Sequence, residues 1–480
     1  MQNELRNRIK QCFQLNNFIL RKDSLDYLTD YFQNLDENRK RDLLDRIIDT
    51  LRSQQIDATL LDLNTLKRVI SESTRYGGAK RDTAFKVTNS NEWPKMKLDT
   101  STGKFLTSDE NKRIVKKPFE CLKERLNLIL DALDTKVVAL STVESLFPRN
   151  HALVTVLGML CRGESSETYL IEDLTGHLQL DLSKAEFENG IVCEGGFYFF
   201  TGIYDTGLLT VQRVSLPKIV PDYFYRIRNL PPKWEINDRI IFLSDVWLDD
   251  PKVTRAVYHL LSGFSTCPPH TFVLCGHFLS TYVASGYTEK TITAFRHLGN
   301  IFAEFATYYV NTQFVFVPGP DDPPLLTVFP KPQLMPNFKA YFKDAKNLHW
   351  ASNPCMITCN NQTLVVYRDD LVEKACRNAI HVPKNANDIS KHFCDLIWSQ
   401  RHVSPLPFHV NPIISHLDYL YHLCPTPDLL VIADKYIPFI VEESPTRRLT
   451  INPGSFPRTN FEFQVYYPSL KKVEASSIDL

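Results

Sequence analysis

The sequence predicts a multi-domain α+β chain made of a helical amino-terminal part, a small β-barrel and a layered α/β body. Apolar residues recur at helical spacing through residues 4–73, change to short alternating strands over 151–216, and beyond residue 231 form apolar strands that alternate with helices. At 480 residues, 43% hydrophobic and 11% aromatic, the chain is long enough for about three domains with cores of their own. Its 55 basic residues balance 55 acidic ones, so no net field draws the whole surface to nucleic acid or to a membrane.

The first twenty residues are charged and amphipathic, without the apolar centre of a signal peptide, and no later run is long enough to span a bilayer. A soluble intracellular protein is expected. The eleven cysteines are scattered; the closest pair is Cys355 and Cys359, and no C-x-x-C occurs. They read as reduced, mostly buried thiols rather than a disulfide frame or a zinc site.

Residues 1–74 fit four short helices, on Leu5, Ile9 and Phe13; Leu25, Leu28, Phe32 and Leu35; Leu44, Ile47, Ile48 and Leu51; and Leu63, Leu66 and Ile70. Asp23 or Ser24 and Asp36 are the expected helix starts. No P-loop motif occurs anywhere in the chain. Residues 75–117 lose this periodicity and carry Gly77-Gly78, Lys80-Arg81 and Lys112-Arg113, which predicts a flexible basic linker. Such a linker is a solubilising tether or a weak contact for nucleic acid phosphates.

Residues 118–230 open with an amphipathic helix through Leu122, Leu126, Ile129, Leu130 and Leu133. Five strands follow, at 151–160, 169–173, 178–182, 197–204 and 208–213, which suits an OB-type barrel. Tyr169, Phe197, Tyr198, Phe199, Phe200 and Tyr204 supply the aromatics that a single-strand binder would stack on bases. The basic residues such a groove needs are sparse: Arg162, Lys184 and Arg213. That imbalance favours core packing and protein contact.

In residues 231–480, strands at 240–243, 271–275, 314–317 and 429–432 are each followed by polar or turn residues, where an α/β domain carries its site. These junctions are Ser244-Asp245-Val246-Trp247, Gly276-His277-Phe278-Leu279-Ser280, Pro318-Gly319-Pro320-Asp321-Asp322 and Ala433-Asp434-Lys435-Tyr436. In this order they resemble the calcineurin-type metallophosphoesterase series D-x-H, G-D-x-x-D, G-N-H-[DE] and G-H-x-H, which holds two metal ions in that family. Compared position by position, Asp245 is kept, but Trp247 replaces its His partner. His277 stands for the bridging Asp and Ser280 for that motif's last Asp. Gly319 and Pro320 replace the Asn and His of the third motif, with Asp321 kept, and Asp434 and Tyr436 stand for the two final imidazoles. His402 and His409 are candidates for the family's isolated fourth-motif His. The resemblance therefore implies a metal site too depleted for two-metal hydrolysis, with Trp247, Pro320 and Tyr436 as filling.

A phosphoesterase-like domain of this kind behind an OB barrel resembles the B subunits of replicative DNA polymerases. The runs 427–436 (P-D-L-L-V-I-A-D-K-Y), 451–458 (I-N-P-G-S-F-P-R) and 316–323 (F-V-P-G-P-D-D-P) are similar to the epsilon branch of that family. The resemblance implies an amino-terminal domain like the lid of AAA+ ATPases and a nuclear, non-catalytic scaffold without cofactor. The implied partners are the cysteine-rich carboxyl-terminal domain of the catalytic subunit, small histone-fold subunits, and the GINS component of the replicative helicase through the helical head. Any DNA contact would be weak or indirect. Two other readings stay open: a phosphoesterase or nuclease using Asp245, His277 and Asp434, and a single-strand DNA binder acting through the barrel or residues 75–117. The proline-rich stretch 317–336 reads as part of a partner surface or as a rigid loop.

Overall fold

The computed structural model describes residues 6, 9–10, 12–14, 18–33, 44, 47, 51, 60–63, 65–67, 85–99, 104–108, 116–133, 139–147, 151–164, 168–188, 190–219, 234, 238–281, 286–343, 347–384, 388–443 and 448–480. The chain divides into two units, 1–83 and 84–480, each treated by itself below.

In the first unit, α1 (Lys22–Gln33) starts where Asp23 and Ser24 announce it and buries Leu25, Leu28 and Phe32. These pack with Ile9, Phe13, Ile47, Leu51, Leu61 and Leu66, so the residues read as apolar helix faces are the ones withdrawn from water. A two-residue parallel pairing of β1 (Ile19–Leu20) with β2 (Leu60–Leu61) brackets α1, and the Ser24 hydroxyl donates to the Leu61 carbonyl at 3.2 Å. A bridge this short leaves no alternation for sequence to show. The expected start at Asp36 lies outside the described residues.

Of the stretch expected as a loose linker, 75–117, the described residues of the second unit, 85–99, 104–108 and 116–117, include paired strands. Residues 86–88 form β3 (Lys86–Thr88), and β4 (Met96–Asp99) pairs with β5 (Lys104–Thr107). Trp93 is buried, and Lys95 reaches Glu124 at 3.0 Å. The composition is polar because little of this strap is buried, but hydrogen bonds to the body hold it in place of a core of its own. The segment leads into α2 (Pro118–Leu130), which starts on Pro118 with the Lys117 amide donating to Glu120 Oε2 at 2.8 Å.

The barrel follows with β6 (Ala152–Arg162), β7 (Tyr169–Glu172), β8 (His177–Asp181), β9 (Glu186–Phe187), β10 (Val192–Cys193), β11 (Phe197–Asp205) and β12 (Leu208–Ser215). Strands run β11-β6-β7-β8-β12, and β11 also pairs with β12, so the five predicted strands close on themselves. Gly202 is required opposite the bulge that Gln212 makes in β12, because a Cβ there would lie 2.2 Å from the Thr210 carbonyl oxygen.

The body comprises β13 (Ile240–Ser244), α3 (Pro251–Phe264), β14 (Thr271–Cys275), α4 (Tyr287–Phe305), β15 (Gln313–Val317), β16 (Leu348–Trp350), β17 (Cys355–Cys359), β18 (Gln362–Arg368), α5 (Leu371–Arg377), β19 (Ala379–His381), α6 (Ile389–Ser399), β20 (Leu429–Ala433), β21 (Phe439–Glu443), β22 (Arg448–Asn452), β23 (Glu462–Tyr467) and β24 (Lys472–Ser477). Two six-stranded sheets form, β16-β15-β14-β13-β23-β24 and β21-β22-β20-β18-β17-β3. Alternation then sorts the side chains. Ile240, Phe242, Val273 and Val315 point at Leu364, Val366, Val431 and Ile451 between the sheets. Ile241, Leu243, Phe272 and Phe316 turn outward beneath α3 and α4. From the second sheet, Val365, Tyr367, Leu430 and Ile432 turn to the opposite side.

What covers that opposite side is α5, α6 and the barrel. Barrel residues Val156, Leu180, Phe200 and Val214 share one apolar cluster with Leu371, Phe393, Ile397 and Ile432. The seam is also polar. Gln400 accepts from the Phe197 amide at 2.7 Å and donates to the Phe197 carbonyl at 2.8 Å, as a paired strand would; β10 pairs with β19; and Cys193 Sγ donates to the Ala375 carbonyl at 3.3 Å. An excised barrel of residues 116–218 would expose this shared face, so it is expected to be insoluble or molten by near-ultraviolet circular dichroism and hydrogen exchange. A cooperative unfolding transition of the isolated fragment would contradict this.

Candidate functional site

The carboxyl ends of β13, β14 and β15 in one sheet and of β18, β20 and β22 in the other converge at one end of the sandwich. At the centre is a residue that sequence alone does not single out, Arg368, which is fully buried. Its guanidinium donates to Asp245 Oδ1 at 2.7 Å, Asp370 Oδ1 at 2.8 Å, the Gly276 carbonyl at 2.5 Å, the Ala433 carbonyl at 3.2 Å and His277 Nδ1 at 3.2 Å. Both sheets thus close around one cation. With Nδ1 accepting, the His277 ring proton sits on Nε2, 3.3 Å from Asp321 Oδ2.

This charge arrangement sets the carboxyls. Burial alone would raise Asp245, but the Arg368 guanidinium holds it well below the ordinary carboxylate range. Asp370 resists burial in the same way and falls to about 2, through Arg368 first and then Lys435. Asp434 has no comparable partner. It accepts from the Val372 amide at 2.9 Å and the Tyr436 amide at 2.8 Å, yet burial pushes it up to about 7.

An acid with a raised native pKa stabilises the fold below its unfolded value, near ~4, and loses that contribution as pH rises through about 7. Asp434→Asn is therefore expected to remove a negative slope of up to about 1.4 kcal/mol per pH unit between roughly pH 4 and 7. Urea titrations of both proteins across that range measure it; parallel stability curves would refute the assignment.

The other expected site residues divide. Asp245, His277, Asp321 and Asp434 lie at the convergence. Ser280 does not: its amide and hydroxyl bond Asp249 at 2.7 and 2.8 Å. Trp247 is half-buried, with Arg458 over its ring at 5.4 Å, and Pro320 and Tyr436 are half-buried too. Trp247 and Tyr436 pack against the edges of two apolar clusters, while the convergence itself is filled by Arg368. Gly319 cannot be a larger residue, because a Cβ there would lie 2.9 Å from the Gly276 carbonyl carbon. The acid that braces this turn is Asp322, which takes the Phe278 amide at 2.9 Å and the Gly319 amide at 2.7 Å, while its neighbour Asp321 faces solvent. In sequence, the signal for Arg368 is a charged residue ending an apolar strand, Leu364-Val365-Val366-Tyr367, ahead of Asp369-Asp370.

These residues do not fit a two-metal centre. A divalent ion needs free carboxylates, and those of Asp245 and Asp370 are already held by a buried guanidinium whose charge would repel it.

His402 lies elsewhere, with Asp418, His422 and Arg125, while His409 is exposed, which removes both as partners of Asp245. Arg125 on α2 forks onto Asp418 at 3.0 and 2.5 Å. His402 Nδ1 accepts the Ser404 amide at 3.1 Å, so its ring proton is on Nε2, facing Asp418 Oδ1 at 3.3 Å. A metal on Nε2 would force a proton onto Nδ1 against that amide. The group is an ion-pair knot. Burial lowers His402 to about 3, and Arg125 overcomes burial to hold Asp418 well below the carboxylate range.

On the barrel, Phe197, Tyr198, Phe199, Phe200 and Tyr204 are all buried, with Phe197 and Phe199 under Leu126 and Ile129 of α2. They offer no stacking platform. In the 317–336 stretch, Val317 is buried and Leu325, Leu326 and Val328 are exposed.

Comparison with known proteins accords with this geometry. Residues 240–441 match the family of DNA polymerase alpha and epsilon B subunits, residues 116–218 the "DNA polymerase epsilon subunit 2-like, OB-fold domain", and residues 1–73 "DNA polymerases epsilon N terminal". The chain is 30% identical over 523 residues to the "DNA polymerase epsilon subunit 2" of Bos taurus, covering 99% of this chain and 98% of that one. It is also 30% identical over 522 residues to the Homo sapiens protein of that name, with the same coverage. The Drosophila melanogaster protein is 27% identical over 520 residues.

Proposed function

Because this chain belongs to the family of DNA polymerase epsilon B subunits, we propose that within that polymerase it is a non-catalytic scaffold. The family places it in DNA replication, as an accessory to the catalytic subunit. The observation that carries the non-catalytic reading is Arg368: a guanidinium fixed to the chain stands on the carboxylates a metal would need. By resemblance, the joined barrel and phosphoesterase-like body receive the cysteine-rich carboxyl-terminal domain of the catalytic subunit. The helical first unit, similar to an AAA+ lid, reaches the GINS component of the helicase, with histone-fold subunits in the same nuclear complex.

Metal analysis by mass spectrometry at neutral pH, with a phosphodiester turnover assay on the full chain, tests the first part. The expected result is substoichiometric metal and no turnover; stoichiometric manganese or iron with turnover abolished by Asp245→Asn would overturn it. A pull-down with full-length chain and a chain lacking residues 1–83 tests the second. Deletion is expected to spare the catalytic subunit and lose the helicase component.

A further inference from the structure

On the outer face of the barrel, β6 and β11 set side chains in four rows: Met159↔Phe197, Leu157↔Phe199, Thr155↔Thr201 and Leu153↔Ile203. The first two rows pack in one cluster with Leu126 and Ile129 of α2, and the Thr155 and Thr201 hydroxyls bond each other at 3.0 Å. The fourth row is bare: Leu153 is 67% and Ile203 40% exposed. An apolar sheet face thus runs on past the helix that covers it.

Three more exposed apolar side chains gather there. The Ser141 amide donates to the Thr155 carbonyl at 2.9 Å, which sets Leu140 beside β6. The Val143 amide donates to Asp173 Oδ2 at 2.8 Å and the Glu144 amide to Thr175 Oγ1 at 3.1 Å. These bonds join the turn carrying Leu174 to the short helical turn Glu144–Leu146, which Phe147 follows. Among the described residues of 139–216, the exposed large apolar side chains are these: Leu140, Phe147, Leu153, Leu174 and Ile203. The seam with the body holds the other end of β11, where Gln400 grips Phe197, about 20 Å along the strand from Ile203.

The surroundings are negative. Over residues 139–216 the sequence has ten acidic residues and four basic ones, Arg149, Arg162, Lys184 and Arg213. Arg162 and Arg213 pair with Glu194 and Glu188 at 3.3 and 3.5 Å. Around the apolar group lie Glu144, Glu172, Asp173 and Asp205, the last 3.7 Å from His151. The described segments 139–147, 151–157, 172–178 and 201–209 contain no lysine or arginine, and residues 148–150 add only Arg149. Such a field repels nucleic acid phosphates and anionic lipid and favours lysine and arginine.

We infer that this end of the barrel is a docking surface for a basic, amphipathic polypeptide segment, whose apolar side chains cover Leu153 and Ile203 while its lysines or arginines meet the surrounding acids. The bare row supplies a dry centre and the acids a polar rim, as at other protein interfaces. The surface lies away from the barrel–body seam and does not rest on the scaffold reading proposed above.

Two short fluorescent helical peptides with the same leucine face test it on the full chain, one with lysine and the other with glutamate on its polar face. The lysine peptide is expected to bind about tenfold or more tightly than the glutamate peptide, to weaken with salt, and to slow hydrogen exchange in 139–147, 151–155 and 201–208 but not in α3 or α4. Leu153→Ser/Ile203→Ser is expected to lower its affinity about tenfold with the urea midpoint kept. Glu144→Gln/Glu172→Gln, at exposed positions, is expected to flatten the salt dependence, and decides the matter if the serine variant loses its fold. Equal affinity for both peptides, binding that the variants leave unchanged, or a footprint on other segments overturns the assignment. So does protection of the same segments by a single-stranded oligonucleotide or by phosphatidylserine vesicles. A failed pull-down for the helical head would leave this result standing.

Discussion

Arg368→Met is expected to lower the stability of the body by about 3–5 kcal/mol, the cost of breaking a buried ion pair from one side. The lost guanidinium leaves Asp245 without its cation, Asp370 with Lys435 alone, and the Gly276 carbonyl and the Ala433 carbonyl without the guanidinium's hydrogen bonds. Methionine fills the volume, so the loss reports on charge. A second substitution, Asp245→Asn in the Arg368→Met background, removes one stranded charge and is expected to recover part of the loss. Urea midpoints for the wild type, both single variants and the double variant measure the coupling. An unchanged midpoint in Arg368→Met would refute the reading of Arg368 as the resident cation.

Arg125→Ala is expected to cost a similar amount, about 3–5 kcal/mol, at a different joint. Arg125 lies on α2, which covers the barrel, whereas Asp418 belongs to the body, so the fork holds the two together. The pH sign follows from the depressed Asp418 acid: its contribution is present above the unfolded value near ~4 and lost only as pH falls through its much lower native value. His402, lowered to about 3, weakens the fold as pH falls below roughly 6.5, because only the unfolded ring takes up the proton. Between roughly pH 4 and 6.5 that loss opposes the gain from Asp434. Wild-type stability is expected to be flatter there than in Asp434→Asn, which should become acid-sensitive. For Arg125→Ala, the barrel–body joint is the place to look: exchange protection in α2 should fall more than protection in β14 and β15.

The strands of the barrel and the first strands of the body are legible in the sequence because each buries one or both faces, and burial writes alternation or an apolar run into the chain. The junction residues are legible as polar breaks after those runs. Arg368 is not, because a buried cation looks in sequence like any arginine at a strand end; only the convergence of two sheets makes it central. The strap from Phe85 to Trp93 misleads for the opposite reason. It is held largely by backbone pairing and by Asn89 and Ser352, which leave a composition like that of a tether. His402 belongs to another site because proximity in the fold between α2 and residues 415–421 has no local signature.

The amide of Gln400 and the core shared across the barrel seam bear on how variants of this chain would behave in a cell. With one core shared between them, barrel and body are expected to unfold as one, so a destabilising substitution in either would lower the steady-state amount of the entire subunit. Heat-sensitive alleles scattered over residues 116–480 would then share one defect, scarcity of the protein, and would be rescued by raised expression wherever they fall. Alleles that resist such rescue mark contact surfaces.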